Sequence, residues 1–236
     1  MTEIKTSQIL LSEDQVHGQL FYILHDENAQ LSNLPFLLGA IRTEFPQSVI
    51  RIVTISLSEN EPWLNAQDSE SDEQNAAQLA AQLKSLEHDI QTAQHADGVL
   101  SEATAVIGVG RAGSLVLGLT LLDVPIAGRL ITFGAQFPTY PLELSLDTTI
   151  HLLHADRDPA VSSDMAREAH ERMALLQADA TIDIAMNSAH SFSEALIGKM
   201  FERLKTCVPL RYWRHAGEGG GEDDQAQGEP PRAPIH

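Results

Sequence analysis

The chain has 236 residues, with 15 Lys and Arg against 33 Asp and Glu, so its formal net charge is −18. Its 43% hydrophobic fraction is that of a soluble globular protein, and one core can serve a chain of this length. The acidic excess excludes nucleic acid and anionic membrane surfaces as partners, because both would be repelled. A single cysteine, Cys207, excludes a disulfide framework, and neither a signal peptide nor an apolar run of 18 residues is present, so we expect a cytoplasmic protein.

Six short apolar runs alternate with amphipathic stretches along the chain. The runs are rich in β-branched residues and almost continuously apolar, which is typical of strands covered on both faces; they span residues 20–24, 49–55, 104–109, 129–133, 149–153 and 181–186. Apolar residues at helical spacing predict helices over about 32–44, 74–95, 115–122, 162–177 and 191–206. The alternation predicts a doubly wound, mostly parallel α/β sheet with its functional loops just after the strands.

Two stretches differ in composition from the rest. Residues 56–75 carry six acidic residues and no Lys or Arg, which indicates a solvated loop. Residues 216–236 are rich in Gly, Pro and acidic residues and cannot bury enough apolar surface to offset the entropy of ordering. We therefore predict one domain over residues 1–215, followed by a disordered tail over 216–236.

The loop after the third run has a glycine pattern with two interpretations. Gly108, Gly110 and Gly113 match the G-x-G-x-x-G dinucleotide fingerprint, in which backbone approaches a pyrophosphate at a helix N-terminus. The fingerprint requires an acidic residue about 20 positions on, at the end of the next strand. That strand ends in Phe133 and Gly134 with no acid, so the context is poor for a nucleotide.

The second interpretation is a nucleophile elbow, G-x-S-x-G, a sharp strand-to-helix turn. The central residue has φ > 0, and the residues two before and two after it are small so that strand and helix can approach. Gly108 and Ala112 satisfy that rule around Gly110, but Gly110 itself has no side chain that could attack a substrate.

Other segments favour the elbow. Three segments follow one another in the order expected for α/β-hydrolases. They are the strand ending at His25, the loop 154–159 with Asp158 and Pro159, and the pair Ala189-His190. The chain resembles the small bacterial carboxylesterase/phospholipase-like serine hydrolases of that superfamily from about residue 19 to the tail. The resemblance implies a compact α/β-hydrolase fold without a large cap domain. It also implies that Asp158 orients His190 and that His190 is the general base.

The departures from the family pattern are as informative as the matches. Gly110 occupies the nucleophile position, and Asp26 replaces the oxyanion-loop glycine after His25. A carboxylate there is expected to oppose the negative charge that develops on a tetrahedral intermediate. Arg111 stands where the family often has Gln, and Trp63 stands where the family has an aromatic residue lining the substrate cleft, although Trp63 could equally fasten a loop to the surface.

These features lead to one hypothesis and its competitors. We expect a catalytically degenerate esterase-like protein that binds a small molecule or a protein partner, needs no cofactor or metal, and disfavours anionic ligands. The competitors are an active esterase or thioesterase with an unusual nucleophile and a nucleotide-binding module. The serines considered as substitute nucleophiles are Ser114, Ser188, Ser191 and Ser193, and the side chains considered for a metal are His25, Asp26, Asp158 and His190.

Overall fold

The structure is a computed structural model that describes residues 3–10, 17–58, 61 and 72–212. Its seven strands are β1 (Glu3–Leu10), β2 (Gln19–Asp26), β3 (Ser48–Ser56), β4 (Thr104–Val109), β5 (Arg129–Phe133), β6 (Thr149–Ala155) and β7 (Ala180–Ala185). Its five α-helices are α1 (Leu34–Glu44), α2 (Asp72–Asp97), α3 (Arg111–Gly118), α4 (Ser163–Leu175) and α5 (Glu194–Thr206). Short 3₁₀ helices cover Ser101–Ala103 and Leu119–Leu121.

All strands form one sheet in the order β1-β3-β2-β4-β5-β6-β7. β2 to β7 pair in parallel, and β1 pairs antiparallel with β3 at the edge. The prediction of a doubly wound, mostly parallel α/β sheet is confirmed. Sequence analysis missed only β1, whose sequence EIKTSQIL is half polar and gave no continuous apolar run.

The core lies on both faces of the sheet, because successive side chains of a strand point to opposite sides. In β2, Leu20 and Leu24 pack with α2 and α3, whereas Phe21 and Ile23 pack with α1 and α5. A third cluster joins β6 to α4 through residues including Leu152. This double burial explains the continuous apolarity of the strands.

The helix boundaries agree with the predicted ones to within about three residues, except that α3 begins and ends four residues earlier than predicted, and the boundaries have local causes. α4 begins after Ser162, whose hydroxyl accepts a hydrogen bond from the Met165 backbone N–H at 3.3 Å. α5 begins after Ser193 with the equivalent bond from Leu196. No helix in the described ranges is long and apolar enough to cross a membrane.

Most of the acidic loop and the whole tail lie outside the described residues. The structure therefore does not test the predictions for Trp63 or for residues 216–236. Between residues 72 and 212 the sheet and its helices leave no segment that could form a large cap over the carboxyl ends of the strands.

Candidate active site

The turn between β4 and α3 has the geometry of a nucleophile elbow. Gly110 stands between the strand and the helix with φ 57° and ψ −128°, and its N–H donates to the Phe133 carbonyl at 2.8 Å. A Cβ added at Gly110 would meet no heavy atom within 4 Å. The position could hold a side chain, but the positive φ is unfavourable for any residue other than glycine.

The neighbouring glycines have a packing role. A Cβ on Gly108 would lie 2.5 Å from the Gly113 Cα, and a Cβ on Gly113 would lie 2.8 Å from the Ala135 Cβ. Strand and helix could not approach so closely with larger residues at either position. The elbow thus explains the glycine spacing. Because that spacing was the reason to consider a nucleotide-binding site, it no longer favours one.

Alanine substitutions should separate these two kinds of glycine. We expect Gly108→Ala to destabilise the fold by about 2–3 kcal/mol, because overpacking forces backbone to shift. Gly110→Ala meets open space and should cost about 1 kcal/mol, from positive φ alone. Urea unfolding of both variants measures the difference, and equal losses would contradict this account of Gly108.

A cleft of about 540 Å³ opens in front of the elbow, at the carboxyl ends of β2, β4 and β5. This is where ligands bind in doubly wound sheets. Its lining residues are Asp26, Asn28, Ala29, Gln30, Val109, Gly110, Arg111, Ser114, Gly134, Gln136, Ala160 and Val161. The structure thus brings three of the predicted site residues, Gly110, Asp26 and Arg111, to one cleft.

Asp26 and Arg111 form an ion pair across this cleft. Asp26 is 4% exposed, and one of its carboxylate oxygens accepts from Arg111 Nη2. Arg111 also donates to the carbonyl oxygens of Ser58 at 2.5 Å and Leu57 at 3.3 Å, just after β3. Arg111 therefore neutralises the Asp26 carboxylate, which reduces the repulsion that we expected Asp26 to exert on a developing negative charge. Asp26 by itself therefore gives no electrostatic reason to disfavour anionic ligands, whereas most acidic residues of the 56–75 loop lie outside the described ranges.

The loop after β2 uses its own backbone donors internally. The Glu27 N–H donates to Ile55 O at 2.9 Å, the Ala29 N–H to Asp26 O at 2.9 Å, and the Asn28 N–H to the Asp26 carboxylate at 3.3 Å. In the α/β-hydrolase elbow, the second oxyanion donor is a backbone N–H from the loop in this position. Three N–H groups of this loop are therefore already occupied.

Asp158 follows β6 and is half-buried. One carboxylate oxygen accepts from the Ser191 hydroxyl at 2.5 Å and the Ser191 N–H at 3.3 Å, and the other accepts from the Ala160 N–H at 3.0 Å. Ser191 was predicted only as a substitute nucleophile. Its hydroxyl is instead fixed between Asp158 and the Ala155 N–H, which donates to it at 3.0 Å, and Ser191 is 4% exposed.

His190 lies beside Ser191 on the loop before α5, and its side chain is exposed. Within residues 72–212 no hydrogen bond joins its ring to Asp158. The neighbouring Ser188 hydroxyl donates to the His190 carbonyl oxygen at 3.1 Å. The structure therefore places Asp158 and His190 on adjacent loops without the hydrogen bond that orients an imidazole in a catalytic triad.

The remaining candidates are held by local contacts. The His25 ring bonds to the Asp26 carbonyl oxygen and the Thr54 hydroxyl, both at 3.0 Å, so neither ring nitrogen is directed into the cleft. The Ser114 hydroxyl accepts from the Gln136 N–H at 3.2 Å at the cleft wall. Among the described residues no group of three His, Cys, Asp or Glu side chains could hold a metal ion.

Two buried histidines of β6 were not singled out by the sequence. Burial lowers the pKa of His151 to about 3 and that of His154 to about 4. His151 Nε2 accepts a hydrogen bond from Arg129 Nη1 at 2.8 Å, since a guanidinium can only donate. The proton of the neutral ring is therefore on Nδ1, which donates to Thr181 Oγ1 at 2.7 Å. Neither ring nitrogen of His154 has a hydrogen-bond partner within the described part of the chain.

Comparison with known proteins agrees with this geometry. The profile of the phospholipase/carboxylesterase family matches residues 43–208, and the chain belongs to this family. Esterase YpfH of Escherichia coli K12 is 26% identical over an alignment of 226 positions that covers 92% of this chain and 95% of that protein.

Solved structures confirm the α/β-hydrolase fold. Esterase PE8 superimposes with a TM-score of 0.66 at 17% identity, over 86% of this chain and 99% of its own. The Bacillus cereus carboxylesterase superimposes with a TM-score of 0.62 at 16% identity, over 83% of this chain and 91% of its own.

Proposed function

We propose that this chain is a catalytically degenerate member of its family that binds a small molecule in the cleft before Gly110. The observation that carries the proposal is Gly110 itself, which keeps the φ 57° turn of an elbow but offers no nucleophile. A serine hydrolase needs an attacking oxygen within hydrogen-bond reach of its base. Gly110 provides no such oxygen at the elbow, the position around which the oxyanion donors are arranged.

The oxyanion and triad positions support the same proposal. The backbone donors after β2 are engaged by Asp26 and Ile55, and Asp158 is engaged by Ser191. Loss of one oxyanion donor alone costs about 2.7–4 kcal/mol of transition-state stabilisation. We infer that selection no longer maintains these parts for catalysis.

The cleft favours a small molecule over a protein as its ligand. About 540 Å³ is within the usual range for small-molecule pockets, and the lining mixes apolar residues such as Val109 and Val161 with the amide of Gln136. Because the Asp26–Arg111 pair is neutral, a neutral ligand with hydrogen-bonding groups suits this lining best. The single cysteine, half-buried just after α5, supports a cytoplasmic location.

Restoring the serine tests how far the site has changed. We expect Gly110→Ser to fold, since no heavy atom would contact its Cβ, but to react little with a fluorophosphonate probe. Adding Asp26→Gly frees the Asn28 N–H and should raise the labelling rate about tenfold or more, the effect of a regained oxyanion donor. Labelling is read by gel fluorescence with the wild type as the unreactive control. Rapid labelling of Gly110→Ser alone would contradict our account of Asp26, and labelling of the wild type would contradict the proposed function.

A further inference from the structure

A second cavity lies at the opposite edge of the sheet from the cleft. It has a volume of about 270 Å³ and is bordered by the first residues of β2, β4 and β5, whereas the cleft lies beyond their last residues. Its lining residues are Gly18, Gln19, Leu20, Phe21, Phe45, Glu102, Ala103, Thr104, Ala105, Arg129, Leu204, Arg211 and Tyr212. We call it the arginine cavity, after Arg129 and Arg211.

Neither arginine has a carboxylate partner in the described part of the chain. Arg129 donates to His151 Nε2 and to the Cys207 carbonyl oxygen at 3.1 Å. Arg211 Nη1 donates to the carbonyl oxygens of Gly128 at 3.0 Å and Asp147 at 3.1 Å. Two neighbouring guanidinium groups without a carboxylate in direct contact are unexpected in a protein with more than twice as many acidic as basic residues.

Other arginines of the chain form ion pairs with carboxylates. Arg51 pairs with Asp97 at 2.7 Å and Arg203 with Asp183 at 2.8 Å. The nearby carboxylate of Asp179 is occupied instead by the Thr149 hydroxyl and the Leu210 N–H. The positive charge of the arginine cavity is therefore not balanced by direct contact.

The donors of the cavity are also incompletely used. Arg211 is 7% exposed, and its buried Nε has no hydrogen-bond partner among the residues that the structure describes. Burying a hydrogen-bond donor of a charged group without an acceptor costs free energy, because the donor loses its hydrogen bonds to water. Such a donor is therefore normally satisfied by a partner. Burial lowers the pKa of Arg129, and the charge of Arg211 lowers it further.

We propose that the arginine cavity binds a small carboxylate anion that carries an apolar group, with Arg129 and Arg211 as its cationic ligands. Guanidinium groups suit carboxylate oxygens because their N–H donors form a planar fork. The rings of Phe45 and Tyr212 border the cavity, and the Arg211 guanidinium lies 5.0 Å from the Tyr212 ring centre, so they can cover the apolar part. Exposed Glu102 at the rim favours a singly charged anion over phosphate.

The test is a titration of the full-length protein with sodium benzoate at constant ionic strength, followed by the side-chain Nε–H signal of Arg211 in ¹H–¹⁵N NMR. We expect a saturable shift of this signal, which Arg211→Lys assigns because lysine lacks the group. Arg129→Gln and Arg211→Gln, each followed by the Nε–H signal of the arginine that remains, should weaken binding at least tenfold. Arg172→Gln is the matched control and should bind like the wild type, since Arg172 also lies over a tyrosine ring but pairs with Glu168.

A further variant tests the cavity without removing either arginine. Glu102→Gln removes the rim charge and should tighten benzoate binding about two- to threefold, an effect that decreases with added salt. Inorganic phosphate is the second probe and should bind more weakly than benzoate. Three results would overturn the proposal, whatever the function of the cleft. They are the absence of a saturable shift, binding by the Arg211→Gln variant that equals that of the wild type, and tighter binding of phosphate than of benzoate.

Discussion

Lowering the pH from 6.5 to 5 is expected to destabilise the fold by about 3 kcal/mol, because His151 and His154 are buried in their neutral form. Both pKa values are lowered from 6.5, to about 3 and about 4, chiefly by burial. Below pH 6.5 the unfolded chain takes up two protons that the folded chain does not, so stability falls with pH. Each histidine contributes about 1.4 kcal/mol per pH unit until its folded pKa is reached.

Urea unfolding at several pH values between 7 and 5 measures this slope. His154→Leu should reduce the slope by about half and cost little at pH 7, because neither nitrogen of His154 has a partner to lose. His88→Gln, at an exposed position of α2, controls for replacing a histidine. A stability that stays constant from pH 6.5 to 5 would show that the two rings are not held neutral.

Removal of the Asp26 carboxylate should give the second large effect. Asp26→Ala is expected to lower the free energy of unfolding by about 2–3 kcal/mol, since breaking a buried ion pair leaves an uncompensated charge. The loss stays below the usual range for fully buried pairs because Arg111 is 30% exposed and can reach water. The substitution also removes the acceptor of the Asn28 N–H.

A double-mutant cycle isolates the ion pair from the turn. Asp26→Asn keeps an acceptor for Asn28 but loses the charge, and the Asp26→Ala, Arg111→Ala double variant should be more stable than the sum of the single losses predicts. Glu168→Ala breaks the exposed Arg172 pair and should cost less than about 1 kcal/mol. Equal losses at Asp26 and Glu168 would contradict the structural importance given to the Asp26–Arg111 pair.

Sequence patterns predicted the fold because the burial of each central strand is visible in its own sequence. A strand buried on both faces needs a continuous apolar run, and residues 104–109 and 149–153 could be recognised from that alone. The turn at Gly110 was predictable for the same reason, since small residues must flank a tight strand-to-helix approach. β1 was not predictable, because an edge strand is stabilised by pairing with β3 and not by its own composition.

The contacts within the site could not be predicted in the same way. The Asp26–Arg111 pair joins residues 85 positions apart, and only the alignment of parallel strands at one edge of the sheet brings them together. Likewise, the sequence places Ser191 next to His190 at the start of the last predicted helix, but which of these side chains reaches Asp158 depends on the direction of the backbone there. The side chains of neighbouring loop residues point in different directions, and the composition of the loop does not determine those directions.

The most direct test of the central claim is the hydrolysis of short-chain p-nitrophenyl esters by the purified wild-type protein and by His190→Ala. Because Gly110 supplies no nucleophile and Asp158 bonds to Ser191, the account predicts no turnover above the buffer rate for either protein. Wild-type turnover that disappears in His190→Ala would show that His190 acts as a catalytic base, and the chain would then be an active hydrolase with another nucleophile.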